Sequence, residues 1–245
     1  MKVMNLLELN TIYNNDCMNI FPNMPDNNVD LTLTDIPYDN VNRNSGGLRN
    51  LDKSKADVLT FDLSKFLDEI YRVTKKTIII FCGREQFSQI SNYFNDYQLN
   101  HMGTVRQLIW NKTNPSPMNG KSIYLSGCEN AVWFKKPNAT FNAFCKSNVF
   151  SYPIGTSNLH PTEKNHLLLK ELILDNSNEN DVVFDPCCGS GSHLLVAKLL
   201  NRKYLGVELN KEWFDIAKKR LDYGDSTNIN AFYNNIDNEK NKKLF

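Results

Sequence analysis

The chain has 245 residues, with 28 lysine and arginine residues against 27 aspartate and glutamate residues, so its formal net charge is +1. This length suits one α/β domain. The near-neutral total excludes a polycationic arm or a long acidic tail, although it leaves room for a local charged patch. No stretch approaches the roughly 20 apolar residues of a membrane helix. Residues 1–10 lack the apolar segment of a signal peptide.

The chain alternates between predicted strands and helices along most of its length. Runs of β-branched and apolar residues predict strands, and apolar residues at helical spacing predict helices. This alternation indicates a mostly parallel sheet with helices on both faces. The predicted strands are 11–14, 29–34, 77–81, 105–110, 131–134, 181–184 and 204–208, and the predicted helices are 17–24, 62–73, 84–94, 161–174, 192–200 and 211–221.

Boundary signals refine this prediction. Asp62 is a typical N-cap residue, and Pro161 suits the first turn of a helix. Residues 39–60 are polar and predict a loop. We expect one domain over residues 1–222, followed by a polar tail over residues 223–245.

The six cysteines show no C-x-x-C spacing, which predicts reduced thiols and no metal site.

The segment 184–192, with sequence FDPCCGSGS, follows a predicted strand and opens a predicted helix. Gly189 and Gly191 allow a tight turn and the close approach of a ligand to the backbone. Glu208 ends the next predicted strand, where a carboxylate can accept both hydroxyls of a ribose. A tight turn with no ligand is the alternative for the loop alone. Neither a third glycine nor a phosphate-binding lysine follows, which disfavours a dinucleotide or ATP.

The second motif is the tetrapeptide Asp35-Ile36-Pro37-Tyr38, directly after the predicted strand 29–34. Open α/β sheets hold their ligands at the carboxyl ends of such strands. The alternative is that Pro37 simply ends the strand and Asp35 caps the next turn.

Together, the two motifs resemble the S-adenosylmethionine-dependent amino-methyltransferases that carry a D/N/S-P-P-Y/F/W tetrapeptide. The tetrapeptide precedes the glycine loop here, which is the circularly permuted order of the β-group DNA methyltransferases. The resemblance covers residues 11–222. It implies a Rossmann-like, mostly parallel, seven-stranded methyltransferase sheet with a short target-recognition insert at 137–152. Other segments that resemble the family, in the same order, are 12–17, 24–31, 108–112, 129–134 and 160–164.

The resemblance implies a site-specific DNA methyltransferase of the N6-adenine type, which flips its target base out of double-stranded DNA. Asp35 and the backbone carbonyl of Ile36 would accept the two N–H groups of the exocyclic amine. Pro37 would stiffen the turn, and Tyr38 would stack on the base. Ile36 stands where the family usually has proline. Because only a carbonyl is needed there, we expect activity to survive.

The resemblance also implies S-adenosylmethionine as the cofactor, S-adenosylhomocysteine as the product, and no metal. Glu208 would hold the ribose, and Asp16 with Cys17 would border the adenine ring. The residues expected to close over the methionine carboxylate are His160, Thr162 and Lys164. The loop residues expected at the methionine end are Asp185, Pro186, Cys187, Gly189, Ser190, Gly191 and Ser192.

Two of these loop positions depart from the family's usual pattern. Cys187 replaces a common phenylalanine, and Ser192 replaces a common threonine. Because both side chains are smaller than the usual ones, we expect a looser cofactor site.

Residues 101–165 hold seven lysine or arginine residues and two acids, so their local charge is +5 against −4 for the rest. Phosphate contacts need local charge and not a high total. We therefore predict DNA recognition by residues 106–152, with Arg43, Lys112 and Lys121 as candidate contacts. A short insert indicates a short target sequence or help from a second subunit, and it favours a homodimer.

Other classes of protein share some of these features. N4-cytosine methyltransferases use the same pocket but usually carry serine at the position of Asp35. A non-catalytic cofactor- or DNA-binding subunit is the alternative to an enzyme. Pro186-Cys187 resembles the nucleophile dipeptide of C5-cytosine methyltransferases, but there the glycine loop comes well before it. RNA and protein-glutamine methyltransferases usually have the cofactor loop first. We expect a cytoplasmic protein of bacterial, phage or mobile-element origin, with no membrane partner.

Overall fold

A computed structural model of the chain describes residues 7–38, 59–99, 101–117, 120–122, 124–154 and 164–223. In this part of the chain, eight strands form one sheet in the order β1-β8-β7-β2-β3-β5-β4-β6. The strands are β1 (Thr11–Asn14), β2 (Val29–Asp35), β3 (Thr74–Cys82), β4 (Thr104–Lys112), β5 (Cys128–Lys135), β6 (Val149–Tyr152), β7 (Val182–Asp185) and β8 (Lys203–Glu208).

The sheet is mostly parallel, as the sequence predicts. Strand β5 runs antiparallel to both of its neighbours, β3 and β4, and every other neighbouring pair is parallel. The prediction of seven strands is one short, because β6 adds an edge strand beside β4. It pairs Ile109 with Val149 and Lys112 with Tyr152. Four residues are too few for a periodic pattern to identify β6, which lies inside the predicted insert.

Helices cover both faces of the sheet. Strand β3 contributes to the cores on both faces in alternation. Ile78 and Ile80 pack with the helices of residues 17–95, whereas Ile79 and Phe81 pack with the helices of residues 166–199. Full burial of each such side chain contributes about 1.5–3 kcal/mol. The helices are α1 (Cys17–Ile20), α2 (Leu63–Val73), α3 (Arg84–Asn95), α4 (His166–Asn176), α5 (Ser192–Leu199) and α6 (Lys211–Tyr223).

The two predicted helix starts have different outcomes. The Asp62 carboxylate accepts a hydrogen bond from the Lys65 N–H at 3.1 Å, so the predicted cap of α2 is confirmed. Helix α4 begins at His166 and not at Pro161, so that prediction is wrong. The reason is Asn165, whose side-chain oxygen accepts the N–H of Leu167 at 2.8 Å and caps the helix there, so that α4 begins five residues later than predicted.

The predicted insert packs against α4. The Asn142 side chain donates to the backbone carbonyls of Leu174 and Ser177 at 2.8 and 3.0 Å. The Lys146 ammonium pairs with Glu171 at 2.8 Å and also with Asp175.

No helix in the described ranges is long and apolar enough to cross a membrane.

The topology brings distant segments to one edge of the sheet. The carboxyl ends of β1, β8, β7, β2 and β3 lie together there because these strands are parallel. Since β5 is antiparallel, its first residues reach the same edge, and Asn130 pairs with Cys82 at the end of β3. The last residues of β4 follow, with Trp110 paired to Glu129.

Candidate active site

The turn 35–38 begins at the last residue of β2, and two hydrogen bonds fix it. The N–H of Ile36 donates to the Phe81 carbonyl of β3 at 3.2 Å. The Pro37 carbonyl accepts from the side-chain amide of Gln86 at 2.9 Å. Gln86 belongs to the first turn of α3 and is 1% exposed, so the turn is held against the β3–α3 connection.

A row of alternating charges runs from the end of β4 to Asp35. Lys112 Nζ lies 2.7 Å from Glu129 Oε1, and Lys164 Nζ lies 2.8 Å from Glu129 Oε2. Lys164 Nζ also lies 2.6 Å from Asp35 Oδ2. The side chain of Lys164 is only 4% exposed, whereas that of Asp35 is 23% exposed. Among the described residues, none hydrogen-bonds the other oxygen of Asp35, Oδ1.

Burial and charge set the protonation states of this row. Burial raises the pKa of Asp35, the Lys164 ammonium lowers it, and the Glu129 carboxylate raises it, with a net upward shift. Burial opposes ionisation of Glu129, but Lys164 and Lys112 outweigh it and bring the pKa of Glu129 to about 2. Burial lowers the pKa of Lys164, but the two carboxylates outweigh it and raise that pKa above its ordinary value. Lys164 and Glu129 are therefore both charged at neutral pH.

The Tyr38 hydroxyl joins the same row. It donates to Glu129 Oε2 at 3.4 Å and accepts from Lys164 Nζ at 3.3 Å. Burial and the neighbouring carboxylates raise the pKa of Tyr38 well above its ordinary value, so the hydroxyl stays neutral. The ring is therefore anchored at its polar end beside Asp35.

Asp185, the last residue of β7, links the glycine loop (residues 185–192) to the tetrapeptide strand. It is fully buried. Its Oδ1 accepts the Thr34 hydroxyl at 2.7 Å and the Cys187 N–H at 3.1 Å. Its Oδ2 lies 2.5 Å from Nδ1 of His193. Since Thr34 directly precedes Asp35, the two motifs are joined through one buried carboxylate.

Glu208, the last residue of β8, holds the turn of the glycine loop. Its Oε2 accepts the Gly189 N–H and its Oε1 accepts the Asn210 N–H, both at 2.8 Å. Gly191 has a φ of +80°, and a Cβ there would lie 3.1 Å from the Cβ of Ala217. A larger residue at Gly191 would therefore strain the backbone and press on α6.

Asp16 and Cys17 lie beside this loop, at the end of β1. The Asp16 carboxylate accepts the Met18 N–H at 2.9 Å and caps α1. A hydrogen bond with the Cys17 thiol, together with burial, raises the pKa of Cys187 well above its ordinary value. Cys187 is therefore a thiol and not a thiolate, which disfavours the nucleophilic role of the C5-cytosine enzymes.

The remaining predicted site residues lie in the glycine loop, at an exposed position or outside the described part of the chain. Pro186 is buried, and Ser190 accepts two hydrogen bonds from the Arg220 guanidinium, at its carbonyl and its hydroxyl. The Ser192 hydroxyl accepts from the same guanidinium at 3.3 Å. Lys121 is exposed. Three predicted site residues lie outside the described residues: Arg43, His160 and Thr162.

The basic segment does not form one patch in the described part of the chain. Lys112, Lys146 and Lys164 are ion-paired. Arg106 and Lys135 lie toward the sheet edge opposite Asp35, because β4 begins and β5 ends there. The ammonium of Lys112 thus contacts Glu129, and its assignment to DNA stays a prediction.

Three residues of the site are not identified by the sequence: Gln86, His193 and Glu129. Gln86 and His193 lie on helices, where a polar residue gives no signal of a buried contact. Glu129 did leave a signal, since it and Glu163 are the two acids of the otherwise basic residues 101–165.

The comparisons with known proteins identify the family. The family model described as DNA methylase matches residues 141–219. Type II methyltransferase M.HinfI of Haemophilus influenzae is 30% identical over an alignment that covers 87% of this chain and 68% of that relative. The chain belongs to the DNA methylase family. Type II methyltransferase M.HpaI of Haemophilus parainfluenzae is 32% identical over 82% of this chain and 70% of its own length.

Solved structures agree with the fold of this DNA methylase. The crystal structure of the M1.HpyAVI–SAM complex has a TM-score of 0.65 and 27% identity, covering 86% of this chain and 98% of that one. The PvuII cytosine-N4-specific DNA methyltransferase has a TM-score of 0.65 at 15% identity, which shows the fold alone. The predicted methyltransferase fold and family are thus confirmed, whereas the circular permutation stays a prediction.

Proposed function

We propose that this DNA methylase transfers a methyl group from S-adenosylmethionine to the exocyclic N6 amine of an adenine flipped out of double-stranded DNA. The observation that carries this proposal is Asp35, a largely buried carboxylate at the carboxyl end of β2 whose Oδ1 accepts no hydrogen bond among the described residues. The glycine loop follows the neighbouring strand β7, and Asp185 hydrogen-bonds Thr34 beside it.

The residues at the ends of β8 and β1 fit the cofactor. Glu208 accepts one backbone N–H at each oxygen. Because a carboxylate has about four acceptor positions, both oxygens keep capacity for the two hydroxyls of a ribose. Asp16 and Cys17 lie beside the loop, where the adenine ring is expected. His160 and Thr162 remain predicted contacts of the methionine carboxylate.

Methyl transfer depends on the orientation of the adenine amine more than on general acid–base catalysis. When bound, S-adenosylmethionine supplies a methyl group on a positively charged sulfur, an excellent leaving group. The adenine amine is a weak nucleophile because its lone pair is delocalised into the ring. Asp35 and the Ile36 carbonyl would accept its two N–H groups and localise the lone pair on nitrogen. As the N–C bond forms and the S–C bond breaks, the surplus proton of nitrogen passes to Asp35 or to water.

The aspartate supports adenine over cytosine as the target. N4-cytosine methyltransferases, the alternative, usually have serine at this position. Tyr38, anchored through its hydroxyl, would present its ring for stacking on the base. A flipped base is needed because the amine of a paired adenine is shielded inside the duplex.

The remaining expectations concern partners and setting. Lys121 and Arg43 are the proposed phosphate contacts. A homodimer and a cytoplasmic setting stay predictions, as does the assignment of residues 137–152 to target recognition.

Incubation of the purified protein with methyl-labelled S-adenosylmethionine and unmethylated plasmid DNA, followed by mass spectrometry of the nucleosides, tests this function. We expect labelled N6-methyldeoxyadenosine. Labelled N4-methyldeoxycytidine would replace the adenine proposal with its alternative. DNA that stays unlabelled while the cofactor binds would support a non-catalytic subunit.

A further inference from the structure

We propose that Glu129 is a positioning residue for methyl transfer, which holds the Lys164 ammonium on Asp35 Oδ2 and so sets the charge and orientation of the catalytic carboxylate. This inference rests on the proposed function and assigns roles to Glu129 and Lys112, which lie outside the tetrapeptide. It also assigns Lys164 to Asp35 and not to the methionine carboxylate of the cofactor.

The geometry supports an electrostatic clamp. Lys164 Nζ lies 2.6 Å from Asp35 and 2.8 Å from Glu129, so one ammonium bridges two carboxylates. Its 4% exposure excludes most of the water that would screen these charges. Lys112 balances the second carboxylate at 2.7 Å, which makes the four-residue row neutral in total.

The clamp engages one oxygen of Asp35 and leaves the other without a partner. Lys164 occupies Oδ2, whereas Oδ1 is buried and accepts no hydrogen bond among the described residues, so it lacks the N–H donor that an amine would supply. The same two groups, Glu129 and Lys164, also contact the Tyr38 hydroxyl. One pair therefore fixes both the carboxylate that would bind the amine and the ring that would stack on the base.

Lys164 is not suited to carry the proton away. Its pKa is raised above the ordinary lysine value, because the two carboxylates outweigh burial, so it stays protonated at neutral pH. Its role is thus a fixed counter-charge. The titratable groups that face Asp35 in the described part of the chain are Lys164, Glu129, Tyr38, Cys82 and His193.

The two partners act on Asp35 with opposite signs. Lys164 favours the ionised carboxylate and Glu129 disfavours it. Lys164→Met should therefore raise the pKa of Asp35, and the acid limb of the methylation rate should move to higher pH. Glu129→Gln keeps an oxygen for Lys164 but loses the negative charge. The pKa of Asp35 should therefore fall, and the acid limb of the methylation rate should move to lower pH. A residue with a purely structural role would not produce opposite shifts.

A carboxyl-carbon NMR titration of Asp35 in the full chain, assigned with Asp35→Asn, tests the inference directly. Single-turnover rates across the same pH range, on unmethylated plasmid DNA with saturating S-adenosylmethionine, complete it. Asp30→Asn is the matched control, since Asp30 lies on the same strand and pairs with Lys76 at 3.0 Å at the opposite edge of the sheet. It should leave both profiles unchanged.

We expect the pKa of Asp35 to shift in opposite directions in Lys164→Met and Glu129→Gln. Lys164→Arg keeps the positive charge and should titrate like the wild type, and it serves as the second variant if Lys164→Met fails to fold. Glu129→Ala, which loses the position as well, should lower the rate about 100-fold, since a misplacement of about 1 Å costs that much. Shifts of the same sign, or none, overturn the inference. A wild-type protein that methylates no DNA overturns the proposed function, while the NMR titration still decides the role of Glu129.

Discussion

The ammonium nitrogen of Lys164 lies 2.6 Å from the Oδ2 atom of Asp35, although 129 positions separate the two residues. This contact joins the segment just before α4 to the carboxyl end of β2. It also distinguishes the two oxygens of Asp35, since Oδ2 is paired and Oδ1 accepts no hydrogen bond among the described residues. The first three predictions concern the residues around this pair.

Asp35→Ala should reduce methyl transfer at least about 1000-fold, because the variant loses the acceptor that localises the amine lone pair. Cofactor binding should persist, since Asp35 lies on β2 and the glycine loop follows β7. Single-turnover rates and calorimetry with S-adenosylmethionine measure the two effects separately. Retained turnover would refute the role of Asp35.

Gln86→Leu should lower the methylation rate about 10-fold or more and destabilise the fold by about 1–3 kcal/mol, because it leaves the Pro37 carbonyl and the Gly83 N–H without their partner. Gln89→Leu, an exposed position of the same helix, is the control. Equal rates for the two variants would show that Gln86 does not hold the turn.

The stability that Glu129 contributes should depend on pH. Its folded-state pKa of about 2 lies below the ordinary value of 4.5. The unfolded chain therefore takes up the proton first, and the contribution is full above pH 4.5 and lost as the pH falls toward 2. Urea unfolding of the wild type and Glu129→Gln between pH 7 and pH 3 measures it. A difference in unfolding free energy that stays constant over this range would contradict the ion-paired state.

Glu208→Ala should weaken S-adenosylmethionine binding without changing the kind of base that is methylated. Hydrogen bonds to a charged group contribute about 1.5–3 kcal/mol, so the Kd should rise about 10- to 100-fold. Calorimetry measures this, with Glu212→Ala on the exposed side of α6 as the control. An unchanged Kd would remove Glu208 from the cofactor site.

Much of the fold could be predicted because its signals are local. The apolar run in β3 and the Asp62 cap each depend on a few neighbouring residues, and both were predicted. Strand β6 was missed because four residues hold no clear period. The start of α4 was misplaced because Pro161 and Asn165 are both good start signals, and only the structure shows that Asn165 bonds to the first N–H groups.

The candidate site divides in the same way. The tetrapeptide and the glycine loop are contiguous motifs and were found from the sequence. Glu129 and Lys112 reach the site only because β5 runs antiparallel between β3 and β4, which no single segment reveals. The resemblance identifies Lys164 as a site residue but not its ion-pair partner. A motif shows which residue type stands at a position and does not show which group its side chain contacts.

Adenine methylation through Asp35 is tested most directly by expressing the protein in cells whose DNA carries no methylated bases. That DNA is then sequenced with a method that reports each modified base. We expect N6-methyladenine at a fixed short sequence, absent from cells that express Asp35→Ala. N4-methylcytosine in its place, or N6-methyladenine that persists with Asp35→Ala, would contradict this expectation.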